Sequence, residues 1–421
     1  MRFNTESGLE KGTEIEAHLA PPSSRPPGYS AINQSSLNVI PQDRPRNACR
    51  RRFWHLLACT FLLLCALYIL QKKRLNPMYP FEHSATAVGP DQCSDHVSWE
   101  EVPDAPRGYR VHLRTSVTLP VSASILSVIS EGARTHGSLE VSQTADAASD
   151  AVVKVDVFYR NQEDFDEATV CRLHPSDNEW GLGIFTPTWR PPPHGDPFHQ
   201  LRFEVHLRLP AGPSLTVSQL KTDLHNFSQH LRALAGSVHF NKLGLKSTNG
   251  RIAAESVAGD KLELHTTNGA VLGQFKTTSE LDLHSSNGHA KVSLLPSSPD
   301  ANGGAYHVTT QTSNGAIDLE FVDAPVDHAL TASARTSNGR AEVTMHETFE
   351  GSFDLWTTNA GTPTVHARDV RDPAGRGRKR GYLVHANRRN SVRGNVWWGE
   401  ENKERGSVSV WTTNGRLRLT V

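Results

Sequence analysis

A short phrase, two hydroxyl side chains followed by Asn-Gly, recurs through the second half of this 421-residue chain. It reads Ser247-Thr248-Asn249-Gly250, Thr266-Thr267-Asn268-Gly269, Ser285-Ser286-Asn287-Gly288, Thr312-Ser313-Asn314-Gly315, Thr336-Ser337-Asn338-Gly339 and Thr412-Thr413-Asn414-Gly415, with one variant ending in Ala, Thr357-Thr358-Asn359-Ala360. From Asn249 to Asn268 to Asn287 the spacing is constant. Later copies stand further apart, as expected where surface loops interrupt a repeating unit.

Aligned on the Asn, the copies alternate with a period of two. Leu245, Leu264, Leu283, Leu355 and Val410 lie four residues before it, and Leu243, Leu262, Leu281, Val308, Phe353 and Val408 six before it. Glu263, Asp282, Asp354 and Ser409 fall between and must point the other way, because strand side chains alternate between faces. After the Gly the pattern resumes with Ile252, Val271, Ile317 and Leu417. Each copy reads as strand, corner, strand. Asn-Gly suits a corner at positive φ, and it is also the strongest short hairpin signal. Phase alone does not separate a hairpin meander from a coil. Repetition of one tetrad favours the coil, because stacked parallel strands about 4.8 Å apart set Thr on Thr and Asn on Asn. The expected fold class is all-β, a β-solenoid-like repeat domain over 243–421 with a single N-terminal transmembrane helix.

The Leu-x-Thr-Thr-Asn-Gly rungs resemble the putative-adhesin repeat families of bacterial and fungal surfaces. The run Leu207-Arg208-Leu209-Pro210-Ala211-Gly212-Pro213-Ser214-Leu215-Thr216-Val217 is similar to the strand that leads into such repeats. The resemblance covers roughly the last half of the chain, and the segment with Cys171 and Gly181-Leu182-Gly183-Ile184-Phe185-Thr186-Pro187 resembles the fungal branch. It implies a β-solenoid and surface exposure and supplies no catalytic residues. Ala360 and the stretch 365–405 depart from the pattern.

Residues 1–52 are rich in Pro, Ser and charge without apolar periodicity, which predicts a disordered cytosolic tail. Residues 53–70, from Phe53 to Leu70, are almost wholly apolar and carry no formal charge. At 1.5 Å per residue they reach about 27 Å, enough for one membrane-spanning signal-anchor helix. Arg44, Arg46, Arg50, Arg51 and Arg52 precede this run, against Lys72, Lys73 and Arg74 after it. That excess predicts a type II orientation, with the C-terminal domain lumenal or extracellular. Residues 71–105 read as a Pro-broken stalk and 106–242 as an N-terminal β part of the ectodomain, with strands near 109–117, 152–159 and 201–209. Beyond the membrane the only cysteines are Cys93 and Cys171. An even pair in an oxidising compartment is a candidate disulfide, with two buried thiols as the alternative.

A formal net charge of zero argues against a dedicated nucleic-acid partner. No nucleophile elbow, zinc spacing, phosphate-binding Gly loop or calcium repeat is present, so no catalytic residue, metal or cofactor is assigned. The column three residues before each Asn is the candidate ligand surface: Lys246, His265, His284, Gln311, Arg335, Trp356 and Trp411. His265 and His284 on adjacent rungs lack a third ligand and read first as a solvated face. Trp356 and Trp411 suit a sugar ring, or packing beneath 365–405. The basic stretch containing Arg368, Arg371, Arg376, Arg378, Lys379, Arg380, Arg388, Arg389 and Arg393 would attract a polyanionic wall polymer or anionic lipid, and its plainer reading is a solvated insertion. Lys379-Arg380 is a candidate dibasic cleavage site. Asn226-Phe227-Ser228 is a candidate glycosylation sequon, with Asn33-Gln34-Ser35 as the control for the opposite topology. The expected function is non-catalytic surface binding or structure, adhesin-like, with a glycan or cell-wall polymer as partner. The rival is a glycan-modifying enzyme on a β-helix scaffold, for which Glu263 and Asp282 are the nearest paired carboxylates.

Overall fold

The computed structural model describes residues 89–421 except 134, 145–148, 188–200, 213 and 298–302. The tail at 1–52 and the apolar run at 53–70 lie outside the described residues. Among those described, no helix is long and apolar enough to cross a membrane. The protein is all-β, and its single described α-helix is the short Gln162–Asp166.

Each repeat contributes one strand before its Asn and one after it, and both stack on their equivalents in parallel. Val238–Ser247 pairs with the second half of Ile252–Thr266, so that Leu243 lies beside Leu262 and Leu245 beside Leu264. Ile252–Thr266 pairs in the same way with Val271–Ser285. Across each Asn-Gly corner the flanking segments do not pair antiparallel as a hairpin would; each pairs in parallel with its equivalent one rung on, so the meander is excluded among the described residues. The long strands bend from the post-corner column into the pre-corner column of the next rung, which makes a regular rung nineteen residues long. Leu243, Leu262, Leu281, Val308 and Phe353 point inward from one column; Ile252, Val271, Ile317 and Leu417 point inward from the other. All belong to one continuous core, and burying this alternate set is what fixes the register.

The corner is built differently from the positive-φ turn that Asn-Gly suggests. Neither the Asn nor the Gly of any repeat has positive φ. Glycine is required by proximity: a Cβ at Gly250, Gly269, Gly288, Gly315, Gly339 or Gly415 would stand 1.6–1.9 Å from a carbonyl oxygen of the preceding rung. The first hydroxyl of each tetrad is buried, at most 2 % exposed. It accepts from the amide of its own Gly at 2.8–3.1 Å. From the second regular rung onward it donates to the Gly carbonyl of the rung below at 3.0–3.2 Å. These two bonds satisfy backbone groups that the corner would otherwise leave orphaned in the interior.

The asparagines form an exposed ladder. In the spatial order Asn226, Asn249, Asn268, Asn287, Asn314, Asn338, Asn414, Asn359, each side-chain amide after the first donates to the side-chain oxygen of the asparagine before it at 2.6–2.8 Å. The final inversion is topological. Gly406–Thr412 inserts between Ala329–Thr336 and Gly351–Thr357, parallel to both. The other end is interleaved too, since Ile125–Glu131 lies between Glu179–Phe185 and Leu215–Leu224.

Three boundaries differ from the sequence expectation. The parallel stack does not begin at 243, because Leu215–Leu224 and Phe227–Ala233 already form a rung around Asn226. The run 207–217 is the end of Leu201–Leu209 and the start of Leu215–Leu224, not one strand. The expected stalk is folded into the sheet over its last segment, where Cys93–His96 pairs with Thr169–Ser176 and Glu100–Glu101 with Val111–Leu119. Antiparallel strands cover the ends of the stack: Val111–Leu119 and Ala151–Tyr159 at one end, and the hairpin Gly381–Arg388/Ser391–Trp397 at the other. The stretch 365–405 is therefore partly a β-cap that protects an open edge, rather than a solvated insertion throughout.

Candidate functional site

Parallel, in-register stacking brings the column three residues before each Asn into one outward stripe. Lys246 pairs with Asp223 at 2.8 Å, the equivalent position of the Asn226 rung. The rings of His265 and His284 stack with centroids 4.8 Å apart. Further along, the Arg335 guanidinium lies 4.3 Å from the Trp411 ring centroid, and Trp411 stacks on Trp356 at 5.7 Å with planes 22° apart. Because the C-terminal rung is inserted, the order is Arg335, Trp411, Trp356, a cation followed by two aromatic faces. Trp356 is 38 % exposed, and its backbone neighbour in the cap is Ser391.

The histidine pair stays neutral. Burial against the sheet, then the neighbouring His284 and Lys246, push the His265 pKa down to about 4. Burial lowers that of His284. Neutral rings can ligate a metal, but among the described residues no group of three or more His, Cys, Asp or Glu is placed to hold one.

Two residues further from each Asn, Glu263 and Asp282 are neighbours on adjacent rungs. Glu263 is committed to Lys242 at 3.0 Å. Desolvation by the sheet surface, then the Glu263 and Glu280 carboxylates, push the Asp282 carboxyl up.

The remaining candidates are dispersed. Cys93 and Cys171 are joined as a disulfide, with Cα atoms 5.6 Å apart, tying the first strand to its neighbour. Asn226 is half-buried; its amide nitrogen donates to the Thr135 carbonyl at 3.2 Å and its oxygen begins the ladder. Lys379 is exposed, whereas the Arg380 guanidinium nitrogens are buried.

Asn226 as the first ladder member escaped the sequence motif, because Leu224 and Phe227 stand where later rungs have the hydroxyl and the Gly. The signal that would have found it is phase: Leu220 lies six residues before Asn226 as Leu243 does before Asn249, and Leu220 pairs with Leu243. Position four before Asn226 holds Thr222, whose hydroxyl donates to Gln229 at 2.7 Å inside the core. Gln229 in turn donates to the Lys246 carbonyl.

No protein-family model matches the chain, and no curated protein matches it. Among solved structures, it is similar to a putative cell adhesion protein from Clostridium sporogenes, 11 % identical, covering 73 % of this chain and 98 % of that one at a TM-score of 0.23. A putative adhesin from Parabacteroides merdae is 11 % identical and covers 55 % and 88 %, at a TM-score of 0.23. A putative lipid binding protein from Parabacteroides distasonis is 10 % identical and covers 73 % and 96 %, at a TM-score of 0.28. Likenesses of this size carry no argument about activity.

Proposed function

We propose that this chain carries a β-solenoid on the lumenal or extracellular side of a membrane, anchored as a type II protein by residues 53–70, and that the solenoid is a non-catalytic, adhesin-like surface for a glycan or cell-wall polymer. The observation that carries the reading is the stripe of Arg335, Trp411 and Trp356. Its partly exposed, stacked indoles leave apolar ring surface wet, which marks binding more than structure, and a sugar ring presents C–H faces to such a platform. The scaffold suits the task because stacked rungs hold the three side chains rigidly while the core behind them is unaffected by their identity.

The raised Asp282 carboxyl beside Glu263 favours the rival, a glycan-modifying enzyme. That reading needs two carboxylates in distinct roles, and the Lys242 partner of Glu263 argues for a plain charged face instead.

The test is binding of insoluble wall polysaccharide to the full-length protein in detergent. Trp356→Ala should weaken binding about tenfold, as expected for loss of an aromatic anchor, and Asp282→Asn should leave it unchanged. Release of sugar by the wild type, abolished in Asp282→Asn, would transfer the assignment to the enzyme. Topology is read separately from glycosidase-sensitive mass. A shift lost in Asn226→Gln and kept in Asn33→Gln supports the proposed orientation; the converse places the repeats in the cytosol and ends the adhesin reading.

A further inference from the structure

The capped end of the stack holds a second feature, independent of the aromatic stripe. After Thr364–His366 the chain crosses the end of the sheet before entering the hairpin at Gly381. Between this crossing and hairpin residues Tyr382 and Val396 lies a cleft of about 830 Å³, with Arg368, Arg371, Arg378 and Arg380 in its walls.

The cations in this cleft are unequally matched. Arg378 is bound bidentately by Asp372, which also accepts the backbone amides of Ala374, Arg376 and Arg378. Glu350 is taken up by the amides of Trp398 and Gly399, by Asn402 and by Arg405. Arg380 has no such partner: its three guanidinium nitrogens are buried and none is hydrogen-bonded by a protein group. The face of Trp398 lies 5.6 Å from it, which offers charge stabilisation but accepts no in-plane N–H. Arg368 uses one terminal nitrogen on the Met345 carbonyl, and its Nε–H is buried without an acceptor.

A guanidinium keeps its proton at neutral pH, and buried N–H donors without acceptors are unfavourable even with the Glu347 and Glu350 carboxylates nearby. Burial, then the nearby Arg368, push the Arg380 pKa down to about 10, which still leaves it charged. His346 beside them is held neutral, mainly by burial. The unused fork of Arg380 with the unused Nε–H of the adjacent Arg368 matches a doubly charged oxyanion better than a single carboxylate.

We propose that this cleft is an oxyanion receptor in which Arg380, with the Nε–H of Arg368, binds the phosphate or sulfate group of a ligand. Lys379, exposed at its edge, adds long-range attraction.

Thermal unfolding of the full-length protein in detergent tests this, with inorganic phosphate, sulfate, acetate and chloride at matched ionic strength. Phosphate and sulfate should raise the Tm saturably by several degrees in the millimolar range, and acetate and chloride should not. Arg380→Met should start from a Tm at or above that of wild type and show no saturable rise, while Arg251→Met, at an exposed cation outside the cleft, keeps it. Equal shifts in wild type and Arg380→Met would reduce the effect to general salt stabilisation and overturn the proposal. So would a large fall in Tm for Arg380→Met without anion, since Arg380 would then be structural. 31P line broadening of phosphate by the wild-type protein gives a second readout, and no broadening rejects the site. Displacement of phosphate by glycerol 3-phosphate alone assigns a soluble ester, and displacement also by phosphatidic acid vesicles assigns a lipid headgroup.

Discussion

The side-chain amide of Asn414 donates to the side-chain oxygen of Asn338 at 2.7 Å, although the two stand 76 residues apart in the chain. Asn359, much nearer to Asn338 in sequence, is one rung further away and bonds to Asn414 instead. The ladder therefore follows spatial order, and each interior asparagine is both donor and acceptor. Asn287→Ala breaks two bonds and should lower stability by about 1–2 kcal/mol, at the usual net value per hydrogen bond. Asn359→Ala, at the end of the ladder, should cost about half as much. Urea midpoints of the two variants check this, and equal losses would show that the ladder is not a chain of independent links.

Gly288 tests why the corner needs glycine. Its Cβ would lie 1.7 Å from the Gly269 carbonyl oxygen, so Gly288→Ala should cost about 3 kcal/mol by forcing the rungs apart. Gly288→Asn should be at least as damaging. Positive φ would predict the reverse, with Asn tolerated. Ala360, in the equivalent place of the last rung, occupies a turn that resumes one residue later: Thr364, five after its Asn, pairs with Arg418, four after its own. Ala360→Gly should accordingly be near neutral in a thermal melt.

Thr336 carries the buried hydroxyl. It accepts from the Gly339 amide and donates to the Gly315 carbonyl. Thr336→Val keeps the shape and strands both groups, at a cost of about 2–3 kcal/mol. Thr336→Ser should be tolerated, since Ser247 and Ser285 fill the same place in other rungs. Amide exchange at Gly339 offers a local readout, with protection lost in the Val variant and kept in the Ser variant.

Acid should loosen the stack through His265 and His284. Both have folded pKa values below the unfolded value of about 6.5, so the unfolded state takes up protons first as pH falls. Their neutral forms cost nothing above pH 6.5. Stability then declines from there down to about pH 4, where folded His265 also protonates. Denaturant midpoints at pH 8 and pH 5 should differ less in a His265→Gln/His284→Gln double variant than in wild type. An unchanged difference would assign the acid response to other groups.

The repeat unit was legible because a single alternation recurs with a fixed phase: Leu243, Leu262 and Leu281 had to share a face wherever they lay, and the same phase set Trp356 beside Trp411. Two things about the repeats were hidden, and one about the cap. The cause of the glycine is contact with a neighbouring rung, which a dipeptide read alone does not contain; Asn249-Gly250 is the same text in a hairpin and in a stack. The order of the rungs is the other, because Gly406–Thr412 matches any vacancy between rungs equally well by pattern. Its place follows from the long excursion 365–405, whose hairpin covers the edge that Gly351–Thr357 would otherwise leave open. The unpaired guanidinium of Arg380 was invisible for the same reason: in sequence it is one of many basic residues, and only burial separates it from Arg376, which meets Asp327 at the surface.

The interleaved ends restrict how such a chain can change its length over evolution. Between Asn249 and Asn338 the order in the chain and the order in space agree, so a duplicated or deleted unit there lengthens or shortens the stack by one rung and leaves both caps intact. Outside that interval every rung is gripped by segments remote from it in sequence. A copy added next to Gly406–Thr412 would have to force apart strands already paired through it, so variation in rung number belongs to the middle of the protein.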